Sequence, residues 1–190
     1  MCQKRSGKEI AVFVFLFLVL CALQNAYSSG FAIYTQGASA LGQADSVIAH
    51  TDSPSAVFFN PALINKLEGT HIESGTTLIS PSREFKSDIS GEDDEAEDSM
   101  FYPSTVYVTH KFNEKISAGL GIFTPFGLAT TWDDDWEGRY IGTKSEMKTI
   151  NINPVVSYQI LPNVAFAAGV DVLFLDTTLE KKINLSGFGL

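Results

Sequence analysis

Residues able to do chemistry are few in this chain, and their spacing decides among the options. Ser46 and His50, with Asp45 and Asp52 nearby, supply the residue types of a hydrolytic triad. No nucleophile motif surrounds Ser46, so a hydrolase is only a minor alternative. His50, His71 and His110 are scattered without metal-ligand spacing, and neither a metal nor another cofactor is expected. The acidic run Glu92-Asp93-Asp94-Glu95-Ala96-Glu97-Asp98 reads as a solvated loop. Its second reading is divalent-cation binding among surface lipopolysaccharide. The remaining group is aromatic. Residues 124–140, TPFGLATTWDDDWEGRY, hold both tryptophans set among acids, with neither helical spacing nor strand alternation. A loop of that kind between regular elements suggests a binding surface. Phe126, Leu128, Trp132, Trp136 and Tyr140 are its candidates for an apolar groove. The two tryptophans suit interface anchors equally well. Arg139 could clamp a carboxylate through two hydrogen bonds, or be claimed by Asp133, Asp134, Asp135 and Glu137.

The elements that must position this loop begin with an export signal. Lys4, Arg5 and Lys8 precede an unbroken apolar run over residues 10–23, and Ala26-Tyr27-Ser28 supplies small residues for cleavage before Ser29. Residues 1–28 are therefore expected to be a signal peptide, and both cysteines, Cys2 and Cys21, fall within it. The 190 residues carry a formal net charge of −9, which argues against nucleic acid as a partner. No later stretch has the roughly 18 continuous apolar residues of a spanning helix. A membrane role then requires a closed β-barrel.

Residues 29–69 are rich in Ala, Gly and Ser and do not alternate; they should pack against something else. From residue 70 the pattern has period two. Residues 71–80, 102–110, 116–123, 147–160 and 164–174 each set aliphatic residues on one face against small or polar ones on the other. The connections alternate strictly: tight at 111–115 and 161–163, long and polar at 81–101 and 124–145. Short turns alternating with long loops mark an outer-membrane barrel, lipid-facing on its aliphatic side, with Tyr102, Phe112 and Tyr158 as interfacial aromatics. Five such strands are too few for a barrel, so the chain is expected to be the N-terminal part of a longer protein, or its strands must close with another chain. The expected fold class is thus all-β, a transmembrane antiparallel β-barrel of which residues 70–190 form the first strands and external loops.

The ordered motifs Gly30-Phe31, GASALGQA at 37–44, Asn60-Pro61-Ala62-Leu63, PFGLAT at 125–130 and MKTININ at 147–153 resemble the FadL/TodX-type outer-membrane transporters of long-chain fatty acids and hydrocarbons. The resemblance implies fourteen strands, with residues 29–69 folded into the lumen as a hatch. It implies an external groove built by the loop between the third and fourth strands, and a deeper pocket beside the hatch. Gly30 and Phe31 would line that pocket, while Asn60, Pro61 and Ala62 would fix hatch geometry. Release would follow hatch movement and a gap beside a kinked strand; Gly119 and Gly121 could permit such a kink, or face a crowded lumen. Lys181, at the end of the fifth strand, falls where the family places a basic partner for a ligand carboxylate; an exposed loop lysine is the other reading. The implied function is passive uptake of hydrophobic small molecules by a full-length monomer among outer-membrane lipid and lipopolysaccharide. A non-transporting surface barrel, such as an adhesin or a porin-like channel, is the rival.

Overall fold

A computed structural model of the chain describes residues 32–50 and 52–185. The expected signal peptide, with Gly30 and Phe31, lies outside the described residues. The N-terminal segment has two short helices, α1 (Ala38–Gly42) and α2 (Ala56–Phe59), and a 3-10 helix (Pro61–Lys66). The strands follow: β1 (Thr70–Thr76), a small hairpin of β2 (Glu84–Lys86) and β3 (Asp93–Glu95), then β4 (Ser104–Lys111), β5 (Ile116–Phe123), β6 (Gly127–Thr131), β7 (Lys144–Leu161), β8 (Val164–Gly169) and β9 (Val172–Glu180). Except for the hairpin they form one antiparallel sheet. β5 and β6 pair with successive parts of one edge of β7, and β8 and β9 with successive parts of its other edge. The sheet is thus an up-and-down run of five staves, β1, β4, β5–β6, β7 and β8–β9. Alternation located the five staves, but it missed β6, inside the expected loop, and the hairpin inside residues 81–101. It also read residues 164–174 as one continuous strand.

Both interruptions have local causes. Phe123 stands opposite Asn151 and Gly127 opposite Lys148, so three residues on the third stave face two on β7. That is a bulge of one extra residue, centred on Pro125, which has no N–H for the ladder. On the other edge Gly169 faces Val155 and Val172 faces Ile152, so the register is kept and only the ladder lapses. Pro154 lies at that lapse. Its carbonyl accepts from Val170 N at 3.2 Å, so the N–H it lacks would have pointed to the same edge.

One face of the sheet is covered and polar. Thr105, Tyr107, Thr109, Ser117, Thr149, Asn151, Asn153 and Ser157 are all buried on it. The N-terminal segment covers it, and Ala56, Val57 and Ile64 form a small apolar cluster with Tyr107, Phe123 and Val155. Gly119 and Gly121 belong to this contact, not to a kink. A Cβ on Gly119 would lie 2.6 Å from Val57 Cγ2 and one on Gly121 3.1 Å from Val57 Cγ1. The strand breaks further on, at residues 124–126.

The other face is bare and apolar. Cross-strand register lines up Val106, Ile122 and Ile152 in one row and Ile116, Tyr158 and Phe166 in another. Ile150, Val156 and Phe166 are 54%, 55% and 63% exposed. A contiguous apolar sheet face of this size is unstable in water and suited to lipid. Its extent is legible on β7. Lys144, Glu146 and Lys148 alternate on this face and are joined by ion pairs. From Ile150 to Ile160 the same face holds only Ile150, Ile152, Pro154, Val156, Tyr158 and Ile160. Eleven residues match the roughly 9–11 of a tilted bilayer crossing. The rest of β7, at about 3.3 Å per residue, rises beyond the hydrocarbon and carries the long loops.

Substituting Gly119→Val should unseat the N-terminal segment while leaving the strands intact. Overpacking of this kind costs about 1–3 kcal/mol. Limited proteolysis should cut near residues 32–66 faster than in the unsubstituted protein, with β-sheet circular dichroism unchanged.

Candidate functional site

The bulge in the third stave frees backbone groups that water would ordinarily satisfy. Thr149, on the facing strand, takes two of them: its hydroxyl accepts from Phe126 N at 3.1 Å and donates to Phe126 O. The N-terminal segment takes two more. Ile33 N donates to Pro125 O at 2.8 Å, and the Gln36 amide donates to Thr124 O at 2.9 Å. Gln36 is 1% exposed; it also donates to Ile33 O at 2.7 Å and accepts from the Tyr107 hydroxyl at 3.3 Å. Lower down, the 3-10 helix is fixed by the Asn60-Pro61-Ala62 turn. Asn60 Oδ1 accepts from Ala62 N at 3.3 Å and its Nδ2 donates to Ile48 O at 2.8 Å, while Ala62 O accepts from Ser157 Oγ at 3.2 Å.

Two clefts open on the covered side. The inner one, about 500 Å³, lies beside the bulge between Phe58, Pro61, Phe123, Phe126, Asn151 and Asp171. The outer one, about 560 Å³, lies beyond the membrane band among Thr130, Trp132, Trp136, Ser145, Leu179 and Lys181. Trp132 leaves the sheet opposite Thr143, its N–H donating to Thr143 O at 2.8 Å. That point is seven residues past Ile150, about 20 Å along the strand.

The outer cleft is a built aromatic site. Trp132 and Trp136 stack at 4.5 Å with a 12° interplanar angle, and Phe85 of the hairpin meets Trp136 edge-on at 5.5 Å. Trp136 Nε1 donates to Gly142 O at 2.9 Å. A Cβ on Gly138 would come 2.3 Å from the Trp136 ring, so glycine is required for the ring to fold back. Arg139 meets none of the acids weighed for it by ion pairing among the described residues. Its Nη1 donates to the carbonyls of Asp135 and Trp136, and its guanidinium lies 4.8 Å over the Tyr140 ring. Asp134 pairs instead with Lys182, at 2.6 Å. Lys181 makes no ion pair among the described residues and borders the cleft.

The sequence candidates therefore fall into groups. Trp132, Trp136 and Lys181 come together in the outer cleft, and Phe126 and Pro61 in the inner one. Leu128 lies between the clefts, in register with Met147 and Thr177. Tyr140 is 43% exposed beneath Arg139 and borders neither cleft. Missed from sequence were Asn151, Asn153 and Asp171 in the inner cleft; their alternate spacing had signalled only a polar face. Gln36 was missed too, and nothing local marks it. Of the triad-like residues, Asp52 is held by the Ser39 hydroxyl at 3.3 Å. Among the described residues no group of His, Cys, Asp or Glu could hold a metal.

The hairpin is latched to the loop by Glu137. Ser90 Oγ donates to Glu137 Oε2 at 2.7 Å, and Glu137 N donates to Asp94 Oδ2 at 3.2 Å. The hydroxyls of Ser87 and then Ser90 hold the Glu137 carboxyl below the usual carboxylate range. The ionised form thus favours the latched state. Its contribution is present above the usual carboxylate pKa and is lost as pH falls through the lowered value. Tryptophan emission should consequently shift to the red on acidification as Phe85 leaves Trp136, and Glu137→Gln should abolish that pH dependence.

Comparison with known proteins agrees with this architecture. Residues 19–188 match the family described as outer membrane protein transport protein (OMPP1/FadL/TodX). The long-chain fatty acid transport protein of Escherichia coli O6:H1 is 28% identical over 163 residues, covering 83% of this chain and 36% of that protein. Outer membrane protein P1 of Haemophilus influenzae is 23% identical over 188 residues, covering 88% and 40%. The crystal structure of a Pseudomonas aeruginosa FadL homologue superposes with a TM-score of 0.62 at 19% identity, covering 80% of this chain and 39% of that one. The chain thus spans roughly two fifths or less of the length of these proteins. The bare apolar face is the lipid side of a transmembrane β-barrel wall, and the chain belongs to the OMPP1/FadL/TodX family of outer-membrane transport proteins.

Proposed function

We propose that this chain forms the first staves and the lumenal hatch of a channel for passive uptake of hydrophobic compounds, long-chain fatty acids or aromatic hydrocarbons. The observation that carries the reading is an apolar track on the covered face between the two clefts. Leu179, Thr177, Leu175 and Leu173 succeed one another on this face of β9, three of the four apolar, opposite Ser145, Met147, Thr149 and Asn151 of β7. Leu128 and Met147 lie alongside, so a greasy molecule leaving the outer cleft would meet mostly apolar side chains, interrupted by threonine and serine, on its way to Phe126. The outer cleft would collect ligand on its stacked tryptophans. Their height above the apolar band supports a groove over interface anchors. Lys181, unpaired at the rim, would attract a carboxylate; Arg139, committed to carbonyls, is a structural residue in this reading.

The N-terminal segment acts as the hatch. It closes the lumen by hydrogen-bonding to the bulge at residues 124–126, so its displacement would free the cleft wall where the third stave is interrupted. An open polar pore is disfavoured because the segment occupies the polar face. The names of the Escherichia coli and Salmonella typhi relatives, long-chain fatty acid transport proteins, support the substrate class.

Cells expressing the full-length gene should accumulate labelled oleate or toluene faster than cells without it. Trp132→Ala and Trp136→Ala should each slow uptake several-fold at low ligand concentration, since loss of a stacked ring removes about 1–3 kcal/mol of apolar contact. Uptake of both compounds that is indifferent to the protein would refute the reading.

A further inference from the structure

The acidic run at residues 92–98 is more than a solvated loop, because part of it folds back as β3 against β2. The small hairpin has two unlike faces. Phe85 stands directly opposite Asp94, so the two side chains share a face. Lys86 and Asp93 take the other face, where they pair at 3.6 Å and are well exposed. The face of Phe85 and Asp94 is turned to the aromatic loop. Phe85 meets the edge of Trp136 at 5.5 Å, and Asp94 Oδ2 accepts from Glu137 N at 3.2 Å. One cross-strand pair on the hairpin thus grips two consecutive residues of the loop. The hairpin is tied in turn to the end of the third stave, where Glu97 N donates to Thr131 O at 2.9 Å. Its own turn is closed from within. Ser87 N donates to Glu92 O at 3.0 Å, and Ser87 Oγ accepts from Ile89 N and Ser90 N at 3.2 and 3.0 Å.

The indole of Trp136 shows what the grip does. Its face stacks on Trp132, its Nε1 donates to Gly142 O, and its six-membered ring lies against Gly138. Those contacts come from the same loop and would travel with it. Phe85 comes from a different one, and an edge-to-face pair fixes the orientation of both rings. Trp136 lines the outer cleft and Phe85 does not. We propose that the hairpin braces the outer cleft, with Phe85 as a positioning residue that acts through Trp136 to hold the stacked tryptophans in place for a hydrophobic ligand. This rests on the reading of the outer cleft as the collecting site and adds a second loop to it. A platform already in its bound geometry loses less side-chain freedom when ligand arrives, so the brace acts on affinity.

The test is uptake of labelled oleate and of labelled toluene by cells expressing the full-length gene, measured over a range of concentrations. Phe85→Ala should raise the half-saturating concentration about two- to tenfold, the scale of one lost aromatic pair, and leave the maximal rate unchanged. Phe85→Tyr, which keeps the ring, should restore it. In the Trp136→Ala background Phe85→Ala should have no further effect, because the residue it positions is gone. In the purified protein the circular-dichroism couplet of the stacked indoles, identified by its loss in Trp132→Phe, should shrink in Phe85→Ala and persist in Phe85→Tyr. An unchanged half-saturating concentration or an unchanged couplet in Phe85→Ala, with Trp136→Ala impaired, would overturn the brace and leave the carrier reading standing. So would an equal effect of Phe85→Ala with and without Trp136. Full uptake of both compounds in Trp132→Ala and Trp136→Ala would overturn the collecting role of the outer cleft and this proposal with it.

Discussion

A wall that crosses a bilayer must satisfy every backbone N–H and C=O from within, and the third stave breaks that rule at residues 124–126. The rest of the site depends on how the debt is met. Thr149 closes one side of the bulge from the neighbouring strand, and Ile33 and Gln36 close the other from the N-terminal segment. Wall and segment are thereby joined through main-chain groups, where sequence leaves few choices. The inner cleft exists because the bulge turns the Phe126 backbone into the covered side.

Polarity on the covered face serves the same arrangement. The segment rests on hydroxyls and amides, with only a small apolar cluster at Val57 and Ile64. Hydrogen bonds such as Asn65 Nδ2 to Ser157 Oγ, at 2.6 Å, have a net worth of about 1 kcal/mol because water replaces them readily. A segment held mainly by such bonds can be exchanged for water more cheaply than one held by a large apolar core. Gly119 and Gly121 let it approach closely without enlarging that core.

Much of the fold was legible in the sequence because a barrel strand has the simplest of periods. Ile116 to Phe123 could be bounded to the residue, and the lipid-facing sets on β4, β5 and β7 follow from alternation alone. Interruptions were not legible, since Pro125 reads as a loop residue and Pro154 as an ordinary member of an alternating run. Both are main-chain events that appear only once the opposing strand is placed. The site was half legible. Trp132, Trp136 and Lys181 stand out by type or by family position, and the fold does bring them together. Gln36, Asn151 and Asp171 are common residues whose meaning lies in partners 20 to 88 positions away. Arg139 shows the converse: its type invites a ligand role, while carbonyls three and four residues back already occupy it.

The anchoring of the segment also closes long loops in the chain. Gln36 meets Thr124 and Tyr107 across 88 and 71 residues, and Asn65 and Ala62 meet Ser157 across 92 and 95. Neighbouring staves close much shorter loops, and closing a loop costs more entropy the longer it is. The carbonyls of Thr124 and Pro125 are in place for Gln36 and Ile33 only after the third stave has bulged against β7. The described N-terminal segment therefore closes the longest of these loops, on carbonyls that the bulge against β7 presents to it.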